Sequence, residues 1–133
     1  MSRPNDDIAD YIASNVSTLT RWSVDDQTGN VFTDAMNPRI GTLQVAVLLA
    51  PGAETPNVET VRSQTILINV YSDEADAYAN AETIYELFQR IRGFNMTNFN
   101  FKNIRAEQPE RTIQVSPGYV LYQMELFTQY EKV

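Results

Sequence analysis

The sequence predicts an α+β fold in which a mainly antiparallel sheet of about four to five strands packs against two helices. Residues 43–50 and 59–71 are strand-like apolar runs joined by a segment rich in proline and glycine. The second run leads directly into a long amphipathic helix that ends near Gly93. A chain of 133 residues, 43% of them hydrophobic, is sufficient for one core. We therefore expect a single domain over residues 1–133.

Near the N-terminus, apolar residues recur every three or four positions, which predicts a helix from about Asn5 to Thr20. Its apolar stripe consists of Ile8, Tyr11, Ile12, Val16 and Leu19. Asn5 or Asp6 is the expected N-cap. Asp6, Asp7 and Asp10 are interpreted as solvated partners of the helix dipole, because three carboxylates on one turn lack the convergent ligands of a metal cage.

The next segment, residues 22–41, is dominated by turns. Residues 25–30 and the pair Asn37-Pro38 are turn clusters, with a short strand predicted between them at about residues 30–33. The first cluster lacks the ligand spacing and the closing glutamate of a calcium loop, so a tight turn is predicted there. The sequence indicates no role for residues 22–41.

Residues 43–50 and 59–71 are predicted to form an antiparallel hairpin. Their connection, residues 51–57, is too long for a two-residue turn and contains two prolines that resist sheet pairing. We expect this connection, called the arm below, to project from the sheet and reach a neighbouring subunit. A surface loop without a partner is the alternative reading.

The second helix has the clearest signals in the chain. Ser72 or Asp73 is the predicted N-cap, Arg90 and Arg92 lie in the predicted last turn, and Gly93 is the predicted left-handed stop. Its apolar stripe consists of Ala77, Ala81, Ile84, Phe88 and Ile91. The small residues at one end of this stripe predict a helix laid closely over a twisted sheet.

Two more strands are predicted after this helix, at about residues 99–107 and 119–130. Pro109 is expected to end the first of them, and a short apolar piece at Ile113 and Val115 lies between them. In the last strand, Gln123, Glu125, Gln129 and Glu131 alternate with apolar residues, which predicts one buried face and one wet face.

The composition argues against catalysis. The chain has no histidine and no cysteine, so the commonest general base, metal ligand and thiol nucleophile are missing. Its five glycines are isolated and form no phosphate-binding loop. We therefore predict that the protein is not an enzyme and has no catalytic, cofactor-binding or metal-binding residues, so that its function lies in its surfaces.

Charge and hydropathy restrict the partners. A net charge of −7 without a run of Lys and Arg disfavours direct binding of nucleic acid. No apolar run approaches the roughly 20 residues that span a bilayer, so no membrane partner is expected. The polar and acidic N-terminus lacks a signal-peptide core, which predicts synthesis without export.

Three segments resemble the tail terminator proteins of long-tailed bacteriophages, also called minor capsid or tail completion proteins. They are the strand-to-helix junction at residues 69–77 (NVYSDEADA), residues 81–87 within the helix (AETIYEL), and residues 117–122 entering the last strand (PGYVLY). The similarity extends from about residue 43 to the C-terminus, and the first helix is consistent with it.

The resemblance implies a virion protein of the tail–neck region, made in the cytoplasm of the bacterial host. Six copies would form a ring on the head-proximal end of the tail tube, end its polymerisation and provide the surface that joins the head. The implied partners are other copies of the chain, the tail tube protein and the head–tail connector or stopper proteins. DNA would pass through the lumen without specific binding.

Two segments are the predicted subunit or partner interface, the arm with its base and the loop after the third long strand. The residues are Pro51, Gly52, Glu54, Pro56, Arg62, Gln108, Pro109, Glu110 and Arg111. Three alternatives stay open: another neck component such as a stopper, a tail tube subunit, or a small ligand-binding or enzymatic α+β domain with a pocket between the second helix and the sheet.

Overall fold

The computed structural model describes residues 3–33, 43–50, 55–56, 61–116 and 118–133, with the backbone alone for residues 55–56 and 113–116. It contains two helices, α1 (Pro4–Asn15) and α2 (Glu74–Gln89). The strands are β1 (Val31–Phe32), β2 (Gln44–Leu49), β3 (Thr55–Pro56), β4 (Val61–Asp73), β5 (Phe94–Asn95), β6 (Phe99–Ala106), β7 (Glu110–Ser116) and β8 (Tyr119–Lys132).

The strands form one curled sheet in the order β1-β2-β4-β8-β6-β5, with β3 added to β4 and β7 added to β8. The α+β class with two helices is confirmed. The predicted sheet of four to five strands was wrong, because the described residues contain eight strands, and the sheet is mixed because β1 runs parallel to β2. The strand β1 lies within the short strand predicted at about residues 30–33, whereas β3 and β5 have two residues each and are too short to show a periodicity in the sequence.

The long strands β4 and β8 are the centre of the sheet. Their antiparallel register runs without a break from Val61 opposite Glu131 to Asp73 opposite Tyr119. The even-numbered residues along the middle of both strands, from Ile66 to Val70 in β4 and from Val120 to Leu126 in β8, are buried under the helices. The odd-numbered residues lie on the other face, as the two-residue period of a strand requires. The predicted hairpin is also present, since β2 pairs antiparallel with residues 66–71 of β4.

On its other side, β8 pairs with β6 along residues 126–132 and with β7 along residues 119–123. The register slips between Phe101 and Asn103, and twice more within β7. Each slip opposes an extra residue to the same length of β8, which increases the local twist and bends the sheet. Glu110 and Arg111, predicted in a loop, belong to β7, because a strand can resume directly after Pro109.

Helix α2 begins as predicted. Asp73 is the N-cap, and its side chain accepts a hydrogen bond of 2.9 Å from the backbone N–H of Asp76. The predicted stripe is buried from Ala77 to Phe88, with Ile91 partly buried beyond the end of the helix.

The predicted C-terminus of α2 was wrong, because the helix ends at Gln89 and Arg90 is its right-handed C-cap. Gly93 does not adopt the left-handed conformation that was predicted for it. It is needed for space instead, since a Cβ atom at this position would lie 2.3 Å from the carbonyl oxygen of Phe101.

Helix α1 is shorter than predicted and begins one residue earlier, at Pro4. Its N-cap is Arg3, not Asn5 or Asp6, and the Asp6 carboxylate accepts a 2.9 Å hydrogen bond from the Arg3 backbone N–H. The helix ends at Asn15 because Val16 is extended. Val16 and Leu19 are buried as predicted, although they follow the helix.

Two polar residues of α1 are completely buried and attach the helix to the sheet. The Asn5 amide donates to the carbonyl oxygens of Thr33 and Val47, at 3.1 Å and 2.9 Å. The Asp7 carboxylate accepts hydrogen bonds from the backbone N–H groups of Asn98 and Phe99, at 3.0 Å and 2.9 Å. The interpretation of Asp7 as a solvated dipole partner was therefore wrong.

The Asp7 contact predicts a large effect on stability. Asp7→Ala should lower the free energy of unfolding by about 3 kcal/mol, because it leaves buried N–H groups without an acceptor. The exposed-loop variant Asp26→Ala is the control and should change it by less than about 0.5 kcal/mol. Urea unfolding followed by circular dichroism measures both, and equal effects would contradict the role of Asp7.

Candidate functional site

The helices cover one face of the sheet, and the other face, called the open face below, is the candidate functional site. Odd-numbered residues of β4 and β8 form its centre, where they are half-buried or exposed. Residues of β6 and of the β6–β7 link continue it. Its main described members are Ser63, Thr65, Leu67, Asn69, Leu121, Gln123, Glu125, Phe127, Gln129, Asn103, Arg105 and Glu107. Most of these side chains are amides, hydroxyls or scattered apolar groups.

One depression of the open face, about 310 Å³, lies where β4, β8 and β6 meet. The guanidinium carbon of Arg105 lies 4.5 Å from the centre of the Phe127 ring, and Arg105 Nη1 is 2.9 Å from Glu107 Oε1. Lys102 is likewise paired, with its Nζ 3.0 Å from Glu131 Oε1. Arg105 and Lys102 therefore both have anionic partners within the chain.

A second depression, about 470 Å³, is acidic. It lies at the β6–β7 link and is lined by Glu107, Gln108, Glu110, Thr112, Gln123 and Glu125. The backbone N–H of Glu107 donates to the carbonyl oxygen of Glu125 at 2.9 Å, which places these two glutamates opposite each other. Like charges opposite each other across a sheet are destabilising, so this cleft lowers the stability of the fold.

The carboxylates that the structure describes do not gather into a metal site. Among the residues that the structure describes, no group of three or more Asp or Glu side chains is arranged to hold a metal ion. No helix within these residues combines the length and the apolar character that crossing a lipid bilayer requires.

On the helix side of β7, Arg111 and Glu74 form an ion pair that we call the clip. Arg111 Nε donates to both carboxylate oxygens of Glu74, at 3.0 Å and 2.9 Å, and so joins β7 to the first turn of α2. The hydrogen bond to Glu74 and its negative charge raise the pKa of Arg111. Burial, and then the charge of Glu74, raise the pKa of the neighbouring Tyr122 phenol.

The predicted interface residues lie in two separate places. Pro51, Gly52 and Glu54 are outside the described residues. The prediction that the prolines of the arm resist sheet pairing was wrong for Pro56, because its backbone pairs with Arg62 of β4 and part of the arm runs back along the sheet.

The second group lies beyond β8. Gln108 and Pro109 form the β6–β7 link, and Glu110 and Arg111 begin β7. Arg62 is opposite Tyr130 whereas Glu110 is opposite Gln123, so the two groups meet different ends of β8.

The acidic cleft was not predicted from the sequence. The alternation of polar and apolar residues in the last strand had placed Gln123 and Glu125 together on its solvent-facing side. Their approach to Glu107 and Glu110 depends on the strand order and on the register beside β8, and neither is encoded in a local pattern.

Comparison with known proteins adds little to this description. No protein-family model matches the chain, and no curated protein matches it. One solved structure, known only by a sequence identifier, is 11% identical and has a TM-score of 0.49, with 97% of this chain and 89% of that chain covered. A similarity this weak supports no statement about function.

The raised pKa of Tyr122 predicts alkaline destabilisation. The folded state favours the neutral phenol, so its stabilising effect is complete below the ordinary tyrosine pKa of about 10 and is lost as the pH rises above it. Thermal unfolding between pH 9 and about 11 should therefore show a smaller loss of Tm in Tyr122→Phe than in the wild type. Tyr85→Phe, at another tyrosine of α2, is the control, and equal losses in all three proteins would contradict the effect.

The acidic cleft predicts a stabilising substitution. Glu125→Gln should raise the free energy of unfolding by roughly 0.2–1 kcal/mol because it removes like-charge repulsion at Glu107 and Glu110. The gain should shrink in 1 M salt, where the screening length is about 3 Å. Asp25→Asn, in an exposed turn, serves as the control with the same charge change. A gain that is equal in both variants would assign the effect to net charge alone.

Proposed function

We propose that this chain is a structural virion protein, a tail terminator of a long-tailed bacteriophage. It forms a six-membered ring at the head-proximal end of the tail tube, ends tube polymerisation and provides the head–tail joining surface. The observation that best supports this is the open face, because a curled sheet covered by helices on one side leaves its other side for neighbouring molecules or for a lumen. The resemblance at residues 69–77, 81–87 and 117–122 supports it independently.

The β2–β4 hairpin carries the arm, which extends to an adjoining subunit, and the contacts between subunits are heterologous and close into a ring. The proposed contact residues are Pro51, Gly52, Glu54, Pro56 and Arg62 in the arm and its base, and Gln108, Pro109, Glu110 and Arg111 beside β8.

The partners follow from this position in the virion. They are other copies of the chain, the tail tube protein and the head–tail connector or stopper proteins. No catalytic step is involved. DNA passes through the lumen without specific binding, since a chain with a net charge of −7 repels phosphate groups.

The mass of the assembled protein tests the proposal. Six copies of the 15.1 kDa chain give about 91 kDa, which light scattering separates from a monomer. Purified tail tubes should carry this ring at one end and stop growing when it is added. Long hollow rods formed by the chain alone would indicate a tube subunit instead, and a monomer that ignores tube ends would reject the proposed function.

Deletion of Ala53–Asn57 tests the arm. The monomer should stay folded, since the β2–β4 pairing at residues 44–49 and 66–71 does not include the deleted residues. Ring formation or head joining should be impaired, measured by light scattering and by electron microscopy of tubes.

Replacing the same five residues with a glycine–serine stretch of equal length is the matched control. It separates the reach of the arm from its sequence. Assembly of the shortened protein at wild-type yield would reject the role of the arm.

A further inference from the structure

Helix α1 contacts both sides of the sheet. In the strand order, β1 and β2 lie on one side, β6 and β5 lie on the other, and β4 and β8 separate them. On the first side, the Asn5 side-chain amide donates a 2.9 Å hydrogen bond to the carbonyl oxygen of Val47 in β2. On the second side, the Asp7 carboxylate accepts hydrogen bonds from the backbone N–H groups of Asn98 and Phe99, at the turn between β5 and β6. One turn of α1 therefore connects strands that are not neighbours in the sheet.

A further contact on each side supports this connection. The Phe94 ring of β5 stacks on the Tyr11 ring of α1, with the ring centroids 4.0 Å apart. On the β1 side, Arg21 forms an ion pair with Asp10 of α1, and its backbone bridges to Val31 of β1. Undocking of α1 therefore breaks contacts on both sides of the sheet at once.

The contacts that hold α1 include several buried polar groups. The side chains of Asn5 and Asp7 are completely buried. Asn5 Oδ1 and Arg21 Nε are buried as well, and neither atom has a hydrogen-bond partner among the residues that the structure describes. These groups regain water when α1 leaves, which offsets part of the apolar contact that is lost. Because the buried stripe of α2 is mainly apolar, release of α1 should cost less free energy than release of α2.

We propose that α1 is a strap that undocks as one unit, and that its release frees the β5–β6 turn and the β1–β2 side together while β4 and β8 stay paired. The β4–β8 register runs from Val61 to Asp73 without any residue of α1, and α2 packs against both strands, so this pair keeps its own support. The open strap exposes the inner face of β2, including Val45 and Val47, which are fully buried when the strap is closed. The inference concerns the single chain and does not depend on the proposed ring.

Hydrogen exchange followed by NMR, at urea concentrations below the unfolding transition, tests the strap in the wild-type chain. The amides of residues 8–15 bond within α1, whereas those of Asn98 and Phe99 bond to Asp7, so both sets report the opening of the strap. The two sets should show the same opening free energy and the same dependence on urea. Amides of residues 66–70 in β4 and 122–126 in β8 should exchange at least about tenfold more slowly, because the β4–β8 pairing must break first.

A substitution on one side of the strap, with its effect measured on the other side, tests the coupling. Asn5→Ala removes the contact to the β1–β2 side and leaves the bonds from Asn98 and Phe99 to Asp7 in place. It should nevertheless accelerate exchange at Asn98 and Phe99 by the same factor as in residues 8–15, at least about tenfold. Asn103→Ala, at an exposed amide of β6 outside the strap, is the matched control and should leave both sets within about twofold of the wild type.

Three results would overturn the strap. Residues 8–15 that exchange as slowly as β4 and β8 would show that α1 leaves only when the whole fold opens. Exchange at Asn98 and Phe99 with its own dependence on urea would show that the turn opens alone. An effect of Asn5→Ala confined to residues 8–15 would show that the two sides are not coupled. If Asn5→Ala does not fold, the wild-type exchange rates decide between a strap and the first two of these alternatives.

Discussion

The unbroken pairing of β4 with β8 is the constraint on which the rest of the structure depends. It aligns the buried, even-numbered residues of both strands on one face, and a slip of one residue would exchange Ile66 and Ile68 for Leu67 and Asn69 beneath α2. The difference in hydrophobicity between the two sets makes that exchange costly. The same register that specifies the core therefore also defines the open face, and no separate signal is needed to create it.

Polar contacts attach the remaining helix to this frame. Asp7 is fully buried and forms no ion pair among the described residues, so its carboxylate is tolerable only when the backbone N–H groups of Asn98 and Phe99 are in place. Docking of α1 and formation of the β5–β6 turn are thus coupled, although they are more than 90 residues apart in the sequence. An aromatic contact strengthens the same junction, because the Phe94 ring of β5 stacks on the Tyr11 ring of α1 with the ring centroids 4.0 Å apart.

Short-range sequence patterns predicted the structural features that depend on residues close together in the chain. Helix α2, its Asp73 cap and its buried stripe follow from spacing and composition, and so do the hairpin and the wet face of the last strand. The strands β3 and β5, the buried Asp7 and the space required at Gly93 depend on contacts between distant segments. The acidic cleft of the candidate site has the same origin, since its glutamates meet only after β6 and β7 have paired with β8. Most of the arm lies outside the described residues, so its role stays a prediction.

The Arg111 side chain points away from the acidic cleft, which explains why the cleft stays acidic. Arg111 begins β7 beside Glu110, yet strand alternation sends its side chain to the opposite face, where Glu74 occupies it. Arg105, a cation on the open face, is shared between Glu107 and the Phe127 ring. The carboxylates of Glu110 and Glu125 therefore keep their charge uncompensated by these arginines, at a cost in stability. Proteins tend to retain such costs at surfaces that serve function, and repulsion of phosphate on the open face is consistent with a subunit that lets DNA pass without holding it.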